Sequence, residues 1–248
     1  MRLLSQSPGV ILYEWFGGLE FHDTLNPDLW EIHHRATDGL PVLKADVRAR
    51  LLSDAKTFIS KLADPQIRIL DIILTGSNAA YNYTPLSDID VHIITDFSKL
   101  DYARVASEYF ADKKKIWETK YNIMVKGHPV EFYVQDVNDP LVANGEYSLV
   151  TNRWIKLPGR IPPPEDDRAL KAKVESLKAR ISKAIHSKDI AKIHALQVRL
   201  KKMRMSGLQH GGEYSVENLA YKILRNDKDI GKLKAARMRV LDRRLSLR

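Results

Sequence analysis

Residues 67–97 read IRILDIILTGSNAAYNYTPLSDIDVHIITDF, and this stretch decides the fold. Its first apolar run, Ile72–Leu74, leads into a glycine, which is typical of a buried strand. The loop Ser77–Ser87 is rich in turn-forming residues, and the apolar run Ile89–Thr95 after it favours a second strand. The stretch therefore predicts a strand, a loop and a second strand.

Two carboxylates mark the beginning of the second strand. Asp88 and Asp90 are two positions apart, so we expect both side chains on one face of the sheet. Carboxylates on one face repel each other unless a cation lies between them, and hard oxygen ligands suit Mg²⁺. The Gly76–Ser77 turn lets the backbone approach a phosphate closely. The stretch thus predicts a magnesium site facing a phosphate-binding turn, and we expect a short helix after the turn.

The composition excludes several classes of protein. A chain of 248 residues can hold one large domain or two small ones. There is no cysteine, so disulfides and thiolate metal sites are excluded. No run approaches the roughly 20 apolar residues of a membrane span, and residues 1–18 lack the pattern of a signal peptide. We expect a cytoplasmic protein with no membrane partner.

The net charge of +9 is unevenly distributed. Residues 1–164 contain 18 Lys or Arg and 21 Asp or Glu, a balance of −3. Residues 165–248 contain 22 Lys or Arg and 10 Asp or Glu, a balance of +12. This asymmetry indicates either a nucleic acid or other polyanion as partner, or a solvated Lys-rich helical surface.

Helices and strands are predicted on both sides of the central stretch. Apolar residues recur every three or four positions over 44–63 and again over 98–119, which predicts two helices. The positive charges of Lys113–Lys115, in the last turns of the second helix, either interact favourably with the helix dipole or contact a triphosphate or nucleic acid. Residues 121–135 predict two strands joined by a turn. Glu131 lies between apolar neighbours in the second of them. If this strand lies beside the strand of Asp88 and Asp90, the three carboxylates lie close together. If it does not, Glu131 is an exposed residue of an edge strand.

The rest of the chain divides at a proline-rich linker, residues 160–164. We expect an irregular N-terminal arm at 1–43 that packs on a core at 44–160, whose last part, from residue 136, is loop-rich. Residues 161–248 predict a basic helical domain. It contains a hairpin over 165–205, helix-breaking glycines at 207, 211 and 212, and two further helices over 216–224 and 230–245.

Gly76-Ser77, ten intervening residues, the pair Asp88 and Asp90 and the later Glu131 resemble the signature of the polymerase-β-type nucleotidyltransferase superfamily. This resemblance covers residues 44–136. A resemblance to phage-encoded predicted nucleotidyltransferases spans almost the whole chain, in the strings LNPDLW, LTGSNAAYNYTPLSDIDVHII, VEFYVQD and GGEYSVENLAYKILR. Both resemblances imply an α/β (α+β) fold with a mixed sheet flanked by helices, and the basic all-helical part predicted for residues 161–248 follows it.

The resemblance also implies a set of roles. Asp88 and Asp90 would hold two Mg²⁺ ions, for which Mn²⁺ can substitute. Glu131 would hold the catalytic ion and act as general base toward the attacking hydroxyl. Gly76 and Ser77 would contact the phosphates of a nucleoside triphosphate. Arg153, Trp154 and Lys156, beyond the last core strand, would bind the base and phosphates, or else pack the linker on the core.

The resulting hypothesis is transfer of a nucleoside monophosphate from a nucleoside triphosphate to a hydroxyl acceptor. The basic residues 165–248 favour an RNA or DNA 3′ end as that acceptor. Two alternatives stay open: nucleotidylation of a small molecule or protein side chain, and a non-catalytic or toxin–antitoxin module on the same fold.

Overall fold

The computed structural model describes residues 3–4, 10–13, 20–32, 39–139, 143–160 and 168–246. The chain folds as two compact units, one of Phe21–Arg160 and one of Met1–Glu20 together with Ile161–Arg248. The strands of the described residues are β1 (Leu3–Leu4), β2 (Val10–Tyr13), β3 (Glu20–His22), β4 (Trp30–Ile32), β5 (Pro41–Leu43), β6 (Asp71–Thr75), β7 (Ile89–Thr95), β8 (Met124–Val125), β9 (His128–Asp136), β10 (Glu146–Ser148) and β11 (Arg153–Lys156). The helices are α1 (Ala45–Leu62), α2 (Ala106–Lys120), α3 (Arg168–Ser187), α4 (Ile190–Gly211), α5 (Val216–Asn226) and α6 (Asp229–Leu245). None of these helices is both long and apolar enough to cross a membrane.

Six strands of the Phe21–Arg160 unit form one mixed sheet in the order β11-β10-β6-β7-β9-β8. β6 and β7 are antiparallel neighbours, so the strand–loop–strand prediction for residues 67–97 is confirmed. β7 and β9 are parallel, which requires a crossover connection, and α2 provides it. This mixed α/β architecture, with helices at the C-terminus, is the fold class that the sequence predicts.

One face of the sheet carries the hydrophobic core and packs against α1. Ile89, Val91 and Ile93 of β7 are fully buried there. Phe58 of α1 stacks on Phe132 of β9 with 5.4 Å between the ring centroids. Burial of each large apolar side chain of this kind stabilises the fold by about 1.5–3 kcal/mol. Because side chains alternate along a strand, the intervening residues of β7 lie on the opposite face.

The segments on either side of this core are more regular than predicted. The arm at 1–43 contains strands, and Leu29, Trp30 and Leu43 belong to the hydrophobic core. The segment predicted as loop-rich contains β10 and β11, which extend the sheet beside β6. Strands of two to four residues show no measurable period in a sequence, and pairing with distant strands creates them. Of the predicted linker, only Arg160 lies within the described residues.

The predicted first helix, 44–63, is confirmed as α1. The predicted second helix, 98–119, begins later: two single 3₁₀ turns at 97–99 and 103–105 precede α2. Asp96 caps the first turn by accepting the backbone N–H of Ser98 at 2.9 Å.

The second unit contains the predicted helical hairpin, formed by α3 and α4 over the described residues. Its turn lies at 187–189, where the side chain of Asp189 accepts the backbone N–H of Ala191 at 2.9 Å and so caps α4. The buried stripe of the hairpin recurs every three or four positions: Leu170, Val174, Leu177, Ile181, Ile193, Leu196 and Leu200. Ser215 caps α5 by accepting the N–H of Asn218.

Gly207 does not end a helix, contrary to the prediction. It is buried inside α4, which continues to Gly211. A Cβ added at Gly207 would lie 2.5 Å from Cβ of Glu217, so only glycine allows α5 to approach this closely. The sequence shows a helix breaker here because helix propensity is local, whereas this glycine serves the contact between two helices.

Candidate active site

Asp90 and Glu131 are register partners on the parallel strands β7 and β9. Both lie on the sheet face opposite α1, since their neighbours Ile89, Val91 and Phe132 are buried in the core. The strand of Glu131 therefore lies beside the strand of Asp90, which is the arrangement under which the predicted acids approach one another.

Asp88 lies immediately before β7, two residues from Asp90. Its backbone carbonyl accepts a hydrogen bond from Nδ2 of Asn78 at 3.0 Å. Within the described residues, no three or more His, Asp or Glu side chains are grouped in a way that could hold a metal ion. The structure thus sets two of the three predicted acids side by side and holds the third by its backbone at the strand entrance.

Gly76 packs directly against the carboxylate of Asp90. Its φ is +77°, in the left-handed region, and an added Cβ would collide with Oδ2 and lie 3.0 Å from Cγ of Asp90. Thr75, which precedes it, is the register partner of Asp90 on β6. The sequence assigns Gly76 to the approach of a phosphate, and the structure adds a second requirement: room for the Asp90 carboxylate.

Ser77 begins the short helix expected after the turn, which is a single 3₁₀ turn, Ser77–Ala79. So few aligned peptide units give a weaker dipole than a longer helix would. Its hydroxyl donates to Oγ of Ser87 at 2.9 Å, and the same Oγ accepts the backbone N–H of Thr84 at 2.9 Å. The two ends of the loop are therefore tied together next to Asp88.

A buried polar network that the sequence reasoning missed fixes this loop. Nδ1 of His128 lies 2.8 Å from the carbonyl of Ser87, so Nδ1 carries the proton and Nε2 accepts from Nδ2 of Asn26 at 3.0 Å. Nδ2 of Asn26 also donates to Oδ1 of Asn78 at 3.0 Å. Nε1 of Trp30 donates to the carbonyl of Asn78 at 2.7 Å. Asn26 and Trp30 belong to the LNPDLW string, and this string was the feature of the sequence that could have indicated the network.

Lys114 belongs to the run Lys113–Lys115, for which the sequence left two roles open, neither of them contact with Glu131. Helix α2 lies along β9 and places Nζ of Lys114 2.6 Å from Oε2 of Glu131. Nζ also pairs with Glu118 and lies 4.1 Å from the centroid of the Tyr133 ring. Burial by itself lowers the pKa of Lys114, but the hydrogen bonds to Glu118 and Glu131 raise it above its ordinary value. Lys114 therefore stays positively charged beside the third acid.

Tyr133 and His92 continue this face away from the acids. The Tyr133 hydroxyl donates to Oε2 of Glu131 at 2.5 Å. Burial, followed by the charges of Asp90 and Glu131, raises the pKa of Tyr133 far above its ordinary value. His92 stacks on Tyr133 at 4.6 Å, and Nδ1 lies 2.5 Å from Oε1 of Gln135. Burial lowers the pKa of His92, so the imidazole is neutral and has a partner in the sheet.

Lys156 lies on the same face as Asp90, because the register between β10 and β11 shifts between Glu146 and Tyr147. Lys156 is therefore the register partner of Glu146, although it is only two residues from Trp154, and β10 in turn pairs with β6. Three strand spacings, about 14 Å, separate Lys156 from Asp90, so it is too distant to contact a metal held there. Burial raises the pKa of Glu146, although the Lys156 ammonium lowers it. The sequence reasoning also missed Glu146, since its strand was read as a loop.

Trp154 lies on the opposite face, with α1. It stacks on Trp30 with 4.7 Å between centroids, and Nε1 donates to the carbonyl of Pro41 at 2.7 Å. Arg153 lies at the far end of β11 from Lys156 and pairs in register with Ser148. Trp154 and Arg153 line a cleft of about 860 Å³ together with Glu31, Leu40, Pro41, Val42, Leu43, Ala45, Arg48, Tyr147, Thr151, Asn152, Ile155 and Leu157. The structure thus places Trp154 on the face opposite Asp90 and Glu131, whereas the register puts Arg153, the adjacent residue, on their face but three strands away.

The profile of a nucleotidyltransferase domain family matches residues 53–190. Two solved structures are also similar to the chain. The CdnE cyclic dinucleotide synthase of Elizabethkingia meningoseptica, with GTP and Apcpp, is 13% identical with a TM-score of 0.26, covering 79% of this chain and 75% of the other. The STING-associated CdnE c-di-GMP synthase of Capnocytophaga granulosa is 11% identical with a TM-score of 0.21, covering 82% and 84%. These likenesses are too low to carry an argument. No curated protein sequence matches the chain significantly.

Proposed function

This chain belongs to the nucleotidyltransferase family, and we propose that it transfers a nucleoside monophosphate from a nucleoside triphosphate to a hydroxyl group, releasing pyrophosphate. The observation that carries this proposal is the register of Asp90 with Glu131 beside the Gly76 turn. It gives one sheet face two adjacent carboxylates and a backbone segment that a phosphate can approach.

The residues present fit a divalent cation. Carboxylates of Asp88, Asp90 and Glu131 are hard oxygen donors of the kind that Mg²⁺ prefers, and the chain has no cysteine to favour a softer metal. We assign Mg²⁺ to these three residues, in two ions as the family resemblance implies, with Mn²⁺ as a substitute. When bound, the metal supplies charge neutralisation for the triphosphate and for the attacking oxygen.

The chain's own residues have distinct tasks in the proposed reaction. The acceptor oxygen bonds to the α-phosphorus while the bond from that phosphorus to the pyrophosphate oxygen breaks. Glu131 takes the proton that the acceptor hydroxyl loses. Gly76 allows the backbone N–H groups of the turn to approach the departing phosphates, and the Ser77 hydroxyl can exchange Ser87 for a phosphate oxygen. Pyrophosphate then leaves with the electron pair of the broken P–O bond on its oxygen.

We retain Lys156 as a contact for the nucleotide, since it shares the face of Asp90. The stacking of Trp154 on Trp30 favours the packing alternative for Trp154, whereas Arg153 is exposed and stays a proposed contact for the nucleotide. Each role stays a proposal that a nucleotide-soaked structure can test.

For the acceptor we propose an RNA or DNA 3′ end, supported by the charge of residues 165–248. In this assignment residues 44–160 form the catalytic domain, residues 1–43 are the arm that precedes it, and residues 161–248 contact the nucleic-acid backbone. Nucleotidylation of a small molecule or protein side chain is the competing function, and binding without transfer on the same fold is a further one.

Incubation with Mg²⁺, each labelled nucleoside triphosphate and a panel of RNA and DNA oligonucleotides tests the proposal. We expect one oligonucleotide to gain label at its 3′ end. Asp90→Asn abolishes the product, whereas Asp112→Asn, which alters an exposed acid on α2 paired with Lys115, leaves it unchanged. Label on a co-purifying protein or metabolite, with none on any oligonucleotide, contradicts the proposed acceptor.

A further inference from the structure

Oε2 of Glu131 already accepts two hydrogen bonds. Nζ of Lys114 lies at 2.6 Å and the hydroxyl of Tyr133 at 2.5 Å. A carboxylate oxygen has two lone pairs, so both lone pairs of Oε2 are engaged. A metal ion can use this oxygen only after one donor has moved.

Lys114 is the donor that is built to move. The Tyr133 hydroxyl is attached to a rigid ring that stacks on His92 within the sheet, whereas Lys114 has a flexible four-carbon stem. Nζ of Lys114 also has two further partners in place, Glu118 one helical turn along α2 and the face of the Tyr133 ring. The ammonium group can therefore leave Glu131 and remain paired.

Electrostatic repulsion makes the Lys114 ammonium and a divalent cation compete for Glu131. The Lys114 side chain is only 16% exposed, so water screens its charge poorly, and a dication bound at Glu131 would face a nearby ammonium group. We propose that Lys114 competes with the divalent cation for Glu131 and so sets the metal concentration at which the site fills. This inference rests on the proposed metal-dependent transfer, and in it Lys114 is a positioning residue that acts through Glu131.

A titration of the full chain with Mn²⁺, without nucleotide, tests the inference. The electron paramagnetic resonance signal of free Mn²⁺ measures how much of the metal is bound. Lys114→Met removes the competing charge and keeps the length of the stem, so we expect the Kd for Mn²⁺ to fall about tenfold. Lys114→Arg retains the charge and keeps the wild-type Kd.

Lys113→Met is the matched control. Lys113 is the preceding residue of α2, but its ammonium lies over the Tyr109 ring at 5.1 Å. We expect this variant to bind Mn²⁺ like the wild type. Glu131→Gln reports whether the signal comes from this site, because it weakens binding in both the wild-type and the Lys114→Met background.

An unchanged or higher Kd in Lys114→Met, with its thermal unfolding intact, overturns the inference. A higher Kd would mean that Lys114 holds Glu131 ready for the metal and does not compete with it. The proposed function fails separately. If Lys114→Met tightens Mn²⁺ binding while the wild type transfers no nucleotide, the transfer proposal is rejected and the competition stands. If the wild type transfers nucleotide but Lys114→Met leaves the Mn²⁺ affinity unchanged, only the proposed competition is rejected.

Discussion

Gly76 and Asp90 fit together because position 76 has no side chain: a Cβ there would collide with the Asp90 carboxylate. Gly76→Ala therefore displaces Asp90 and also strains a left-handed backbone. We expect loss of nucleotidyl transfer, together with destabilisation of about 1–3 kcal/mol from the backbone alone.

Gly127→Ala separates the two effects of that substitution. Gly127 also has a positive φ, +83°, but an added Cβ there meets nothing within 4 Å. We expect a similar loss of stability by denaturant titration and full activity. Equal activity losses in both alanine variants would contradict the assigned contact with Asp90.

Glu146 gives the fold a pH dependence of known sign. Burial raises its pKa above the ordinary value of 4.5, so the folded state holds this proton more tightly than the unfolded state. The stabilisation is present below the ordinary pKa and is lost as pH rises through the folded pKa. Glu146→Gln avoids this loss, so its Tm relative to wild type increases from pH 4 to pH 7, without metal or nucleotide. A Tm difference that is constant or shrinks over this range rejects the assignment.

Gly207 in α4 and Gly231 in α6 should respond oppositely to alanine. Helix propensity alone favours alanine over glycine by about 0.8–1.0 kcal/mol. At Gly231 nothing lies within 4 Å of the added Cβ, so Gly231→Ala stabilises the chain. At Gly207 the added Cβ meets Glu217 and Ser215, so Gly207→Ala destabilises it despite the propensity. Denaturant unfolding of both variants measures the contrast, and stabilisation by both would show that α4 and α5 are not in close contact.

Binding to RNA or DNA should weaken steeply with salt. The slope of log association constant against log salt is about −0.7 to −0.9 per phosphate contacted. Lys201→Gln with Lys202→Gln, two exposed residues of α4, should make the slope shallower. Lys56→Gln, an exposed lysine of α1, should leave it unchanged. A flat salt dependence of the wild type excludes phosphate contact by the basic helices.

Local patterns predicted the parts of the fold that they control. The apolar runs on either side of Ser77–Ser87 and the helical stripe over 44–63 are properties of adjacent residues, and both are present in the structure. The three acids could be named because their strands carry their own signal. That Glu131 pairs with Asp90 was conditional on strand order, which no local pattern encodes.

Long-range contacts explain the remainder. Lys114 reaches Glu131 across 17 residues and only after α2 has crossed over to β9. Its own helix therefore indicated only the two local roles, stabilisation of the helix dipole or contact with a triphosphate or nucleic acid. β10 and β11 are too short to have a period, and their register with β6 determines which face Trp154 and Lys156 occupy. Gly207 was read as a breaker because its partner Glu217 lies on another helix.

Pyrophosphate release from nucleoside triphosphates, by the purified chain with Mg²⁺ and the panel of RNA and DNA oligonucleotides, measures the proposed transfer itself. We expect release by the wild type and by Asp112→Asn, and none by Asp90→Asn or Glu131→Gln. Release that persists at the wild-type rate in Asp90→Asn would contradict it, because the transfer would then not use the paired carboxylates of β7 and β9.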